Sequence, residues 1–465
     1  SGNFNFNGLV YPDRQVQPAF WEVKRVYQHV DFELIDAGNG TLRVSNNYDF
    51  INLSEFELHW QITADGREVQ SGVLADLDVP AESTATTALK YSLLPFRVGP
   101  EYHLDVQLVA PNARGLMPAG HTYATAQFEL PGEHGDYALQ RQGGSLAVDD
   151  SDEALRIDTD AVIVTFDKSS GLLSSLNSSG KELLLAPLAP NFWRAPTDND
   201  FGNYMPDWAA VWEQASRNRS LVSLNLASQS DEEVAVAAHY AFSNDAGDRV
   251  AEWQATYTVF ADGRVTVDNR FERADALPVL PRVGMNVELI RELENVEWFG
   301  RGPFENYVDR KLAAEVGRYR NTVADHYVPY MRPQENGYKT DTRWLSLDNG
   351  ADAGLLVIAS DLVGFGVHHN RMVDFIPPFK VAITSEDGPG ARDNKERVNV
   401  HVNDIVPRDL VSLNIDYDQM GVGGDDSWGK RTLQQYSLTE TTYSYGFTLL
   451  PYTPGSGRLD QLVDR

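Results

Sequence analysis

Residues Ala261 to Glu272 read ADGRVTVDNRFE. The first four are turn chemistry, because Asp and Gly accept the backbone angles of a tight reversal. The next eight alternate: Val265, Val267 and Phe271 fall on one side of a two-residue period, Thr266, Asp268, Arg270 and Glu272 on the other. That period puts successive side chains on opposite faces of a strand. A hairpin turn leading into a half-buried strand is expected here. Ala64-Asp65-Gly66-Arg67 repeats the turn inside EFELHWQITADGREVQSGVL, residues 55 to 74. Further strands are expected at AVIVTFD (161–167), PRVGMNVEL (281–289), GLLVIAS (354–360), ERVNVHVN (396–403), VSLNIDYDQM (411–420) and TYSYGFTLL (442–450).

The fold class expected is therefore all-β. Short strands with frequent turns over residues 30–140 suit an immunoglobulin-like sandwich. The Gly- and charge-rich stretch 141–154 reads as a linker. Residues 155–465 are expected to form a large antiparallel β-supersandwich. Two helices interrupt this pattern. QPAFWEVKRVYQ, residues 17 to 28, has Pro18 at a first-turn position and apolar residues at helical spacing. PDWAAVWEQAS, residues 206 to 216, places Trp208 and Trp212 four apart on one face, as core residues. Strands nowhere alternate with helices, so the chain holds no complete (β/α)₈ barrel.

The chain has 465 residues, 42% of them hydrophobic, with 67 acidic and 39 basic side chains and a net charge of −28. That balance repels nucleic acid and anionic lipid, and no apolar run is long enough to cross a membrane. There are no cysteines, which excludes disulfides, thiolate metal sites and cysteine nucleophiles. A cysteine-free chain suits cytoplasm and periplasm equally. The start, SGNFNFNGLVYPDR, lacks the basic and apolar regions of a signal peptide. There is no phosphate-binding glycine loop and no HExxH. His368 and His369 are adjacent, so on a strand they face opposite ways and do not share a metal.

Four stretches mix aromatics with amides, acids and Arg around Gly or Pro. They are FWRAPTDNDFG (192–202), WFGRGPFENY (298–307) followed by Asp309-Arg310-Lys311, YMRPQENG (330–337) and MGVGGDDSW (420–428). Sugars suit such mixtures, since C–H faces stack on rings and hydroxyls take polar partners. For Arg301, Glu305, Arg332 and Glu335 the expected role is to stitch loops together. Glu305 and Glu335 are formally a carboxylate pair, but nothing in the sequence sets their separation. Trp428 is open to two readings, a ring tucked into the core or an aromatic face held out for a ligand.

Taken in order, NGLVYPDR, PAFWEVK, FWRAPTDND, WFGRGPFENYVDRK, RPQENG and GVGGDDSWG resemble the C-terminal part of a LacZ-type β-galactosidase of glycoside hydrolase family 2. The resemblance implies that residues 1–29 are the end of a TIM barrel plus a helix, ahead of the two sandwiches. It implies a retaining enzyme acting on lactose-like β-galactosides, a homo-oligomer at full length. Its acid/base and nucleophile Glu residues would lie upstream of Ser1, so this chain alone is expected to be inactive. Trp428 would stack the sugar in the outer subsite, and Gly202 would be the hinge of a mobile loop. Asn7 and the Phe4 carbonyl would bind Na⁺ in the complete enzyme only. The family's Mg²⁺ ligands are expected upstream, and no cofactor is expected on this chain alone. Two other readings stand beside this one, a non-catalytic carbohydrate-binding or scaffold module and a mutarotase-like enzyme.

Overall fold

The computed structural model describes residues 8–92, 99–132, 135, 143–377, 399–426, 428–455 and 458–463. The chain divides into two compact units. The smaller comprises Gln17–Leu139, Leu312–Arg318 and Asp460–Arg465; the larger comprises Ser1–Val16, Gln140–Lys311 and Tyr319–Leu459.

In the smaller unit, α1 (Pro18–Val26) precedes two antiparallel sheets. One orders Val30–Asp36, Thr41–Asn46 and Ser83–Ala88; the other orders Arg67–Leu74, Glu57–Ala64, Tyr102–Val109 and Thr122–Glu129. Their inward residues, among them Leu42, Val44, Leu58, Leu104 and Val106, share one fully buried core. The hairpin at Asp65-Gly66 has positive φ at both positions, 46° and 74°, matching the twist of the strands it joins.

The larger unit is a set of curled antiparallel ladders running from Leu146–Asp150 to Thr442–Tyr452 and closing on themselves. The strand Val265–Arg273 follows its period: Val265, Val267, Asn269, Phe271 and Arg273 are buried while the residues between them are not. It lies between Arg249–Phe260 and Thr442–Tyr452, with Val267 opposite Tyr257 on one side and Phe447 on the other. Gly263, at φ 89°, turns the chain into it. Phe271 joins an aromatic cluster with Phe192, Trp212 and Trp253, ring centroids 5.0–6.2 Å apart. The fold is all-β.

Three expectations need correction. Within the expected linker, Leu146–Asp150 is a strand paired with Ala154–Thr159. Alternating Leu146 and Val148 outweigh the flanking glycines and acids. The helix expected over 206–216 is broken at Ala209 into α3 (Met205–Trp208) and α4 (Ala210–Arg217), preceded by the short α2 (Asp198–Gly202). Trp212 is fully buried, whereas Trp208 is only partly so. The described part of the strand expected at 396–403 holds no strand; Val402–Asp404 is a 3₁₀ turn, because the Asp404 carboxylate accepts the N–H groups of Val400 and His401.

Candidate functional site

Thr197 caps α2 by accepting the Asp200 N–H, and Asp200 returns the favour to the Thr197 N–H, a reciprocal pair that satisfies two orphan donors. This fixes Gly202 at the end of the turn. A Cβ added to Gly202 would stand 2.0 Å from the carbonyl oxygen of Trp428. The two residues singled out in the sequence therefore touch. The reason for glycine is close approach to another backbone rather than a positive φ.

Trp428 is 68% exposed. Its backbone is held by Asp426, whose Oδ1 accepts N–H groups from Trp428 (3.0 Å), Gly429 (2.9 Å) and Lys430 (2.9 Å). Those bonds keep the Asp426 carboxyl below its ordinary range. Asp425 makes no such bond among the described residues, and Ser427 lies outside them. Upstream, Asp309 accepts N–H groups from Val422 (3.1 Å) and Gly423 (2.7 Å). A Cβ on Gly421 would meet Asp309 Oδ2 at 2.5 Å. Arg194, wholly buried, donates to Asp200 through Nε (3.0 Å) and Nη2 (2.9 Å) and reaches the Gly421 carbonyl at 3.1 Å. Asn199 Nδ2 donates to the Val422 carbonyl at 3.3 Å. Thus 194–202 and 420–430 form one locked assembly with an exposed indole. Asp309 and Arg194 stood in the quoted stretches without an assigned role, because their contacts with the glycine loop span more than a hundred residues of chain.

The other polar stretches do stitch loops. Arg301 and Lys311 both bind Asp341. Arg332 stacks 3.9 Å over Phe201 and pairs with Asp198 at 3.5 Å. Glu305 accepts from Arg310, Tyr330 and the Gly337 N–H. Glu335 accepts from Arg282 and from Gln419, at 3.1 Å for the latter, and burial pushes its carboxyl up. His368 bonds the Asn336 carbonyl and His369 the Leu410 carbonyl, and no metal-binding cluster of three His or acidic groups occurs among the described residues. Asn7 and Phe4 lie outside the described residues.

Arg282 also lies 3.1 Å from Asp416 Oδ2, both fully buried. Burial pushes the Asp416 carboxyl from 3.8 up to about 7, with Arg282 opposing. Because the folded value is raised, the stability from this group is complete below about pH 4 and is lost as pH rises through about 7. Asp416→Asn is expected to flatten that dependence. In melts at about pH 4 and about pH 8, the wild-type chain should lose more stability than the variant. Equal losses would contradict the assignment.

The β-galactosidase small chain family matches residues 158–449, and β-galactosidase domain 4 matches residues 42–131. The chain belongs to the LacZ-type β-galactosidase family, as its C-terminal portion. A β-galactosidase of Priestia megaterium is 30% identical over 97% of the chain, covering 41% of the relative. One from Pseudoalteromonas haloplanktis is 29% identical over 96%, covering 42%, and one from Vibrio cholerae is 32% identical over 96%, covering 41%. The chain thus spans about two fifths of the length of the curated relatives it matches. A galactose 1-epimerase from Lactobacillus acidophilus covers 67% of the chain and 99% of its own length at 10% identity, with a TM-score of 0.33, too low to argue from.

Proposed function

We propose that this chain is the part of a retaining β-galactosidase that presents an aromatic platform to the outer sugar of a lactose-like β-galactoside. The carrying observation is the exposed Trp428 ring on a loop whose backbone is already locked by Asp426, Asp309 and Arg194. A pre-ordered platform loses little conformational entropy on binding, so the stacking energy of the indole is available to the ligand. Gly202 is the packing point that sets the height of this platform, and movement of α2 would carry Trp428 with it. In the complete enzyme, Trp428→Ala should weaken binding of the aglycone sugar by about 1–3 kcal/mol, read as a raised KM and an altered aglycone preference. An unchanged KM with unchanged preference would contradict the role.

Retaining cleavage uses two carboxyl groups about 5–5.5 Å apart across the scissile bond. Glu305 and Glu335 do not suit that work, because each is committed to cationic or amide partners. The chain alone is therefore expected to show no turnover of a chromogenic β-galactoside, and turnover above blank would overturn this division of labour. Na⁺, if bound by Asn7 and the Phe4 carbonyl in the complete enzyme, would have the hard oxygen ligands such a cation takes. Mg²⁺ would be held elsewhere in that enzyme.

A further inference from the structure

Between α2–α3 and the glycine loop the larger unit has a pocket of about 300 Å³. We propose that it binds a monosaccharide unit carrying a carboxylate, an acidic sugar distinct from the galactoside that Trp428 would stack. Arg431 lines the pocket with its guanidinium 4.0 Å over the ring of Trp208. That stacking fixes the plane of the guanidinium while leaving its N–H fork open. No carboxylate pairs with Arg431 among the described residues, although the chain carries 67 acids against 39 bases. A fixed, unpaired guanidinium matches a carboxylate bidentately.

The rest of the lining suits a hydroxylated ring. Asn203 Oδ1 is taken by the Trp208 indole N–H at 3.0 Å, which directs the amide and leaves its Nδ2 without a partner among the described residues. The side chains of Gln434 and Thr439 likewise bond to no described residue. Val279 and Met420 supply apolar surface for the C–H face of a sugar. The volume is at the small end for ligand pockets, which suits one ring rather than two. The walls are stiff, because buried Arg194 pairs with Asp200 and donates to the Gly421 carbonyl, and both of those residues line the pocket. Trp428 does not line this pocket, so the proposal stands or falls separately from the galactoside platform.

Isothermal titration of the chain with D-galacturonate, D-galactose and acetate tests it. Galacturonate is expected to bind at least about tenfold more tightly than either of the others, because only it offers both the charge and the ring hydroxyls. Arg431→Gln should cost about tenfold in galacturonate affinity while leaving the circular dichroism spectrum unchanged. Gln434→Ala, an exposed position, should weaken it several-fold. Absence of galacturonate binding, equal affinity for galactose, equal affinity for acetate, or an Arg431→Gln titration superimposable on wild type would each overturn the proposal.

Discussion

Replacing Arg194 by Ala is expected to lower the stability of the larger unit by about 3–5 kcal/mol, the range for breaking a buried ion pair from one side. Arg194 is fully buried, and the side chain of its partner Asp200 is 4% exposed. Both oxygens of Asp200 face the guanidinium, at 2.9 and 3.0 Å. Removing the arginine leaves a buried carboxylate whose desolvation is then offset only by the Thr197 N–H. The carbonyls of Met420 and Gly421 also lose their donor, so the loop that carries Trp428 should loosen with the core. Arg371→Ala is the comparator, because Arg371 meets Glu288 with its side chain 48% exposed. Exposed pairs contribute about 0–1 kcal/mol. Urea midpoints should separate the two variants clearly; equal shifts would show that the buried pair does not hold the assembly.

Gly202→Ala is expected to reduce kcat/KM of the complete enzyme on lactose-like substrates by about a hundredfold, the scale of a 1 Å displacement in a substrate-positioning group. The added methyl would lie 2.0 Å from the Trp428 oxygen and 2.5 Å from its carbonyl carbon. Those are backbone atoms, which no rotamer change can move aside, so either α2 or the glycine loop must shift. The loss should fall on substrates with a bulky aglycone and spare the chain's melting temperature by comparison with Arg194→Ala. Unchanged kinetics on such substrates would remove Gly202 from the site.

The β architecture was readable because its strands are amphipathic by period: Val265, Val267 and Phe271 announce their buried face without outside help. Leu146–Asp150 was harder to read, since Leu146 and Val148 sit beside two glycines and two acids, and its pairing with Ala154–Thr159 is what makes it a strand. The break at Ala209 was invisible, because Ala209, Ala210 and Val211 include no helix-breaking residue, yet the backbone at Ala209 leaves helical angles at φ −104° and ψ 8°. Trp428 and Gly202 could be singled out, but their contact could not, as 226 residues separate them. Nor could the sequence show why Gly202 is glycine: expectation pointed to backbone freedom, and the structure points to a neighbour with no room for a methyl. Arg431 stood in no recognised motif, and only its stack on Trp208 across the pocket marks it.

The role proposed for Trp428 is that of a sugar platform set in place by the glycine loop. The most direct measurement is a structure of the complete enzyme, in a catalytically inactive variant, with an intact β-galactoside bound. The expected result is the indole of Trp428 lying flat against the outer sugar at van der Waals distance, with the Asp426 bonds to residues 428–430 retained. A bound galactoside whose outer sugar makes no contact with Trp428 would contradict it.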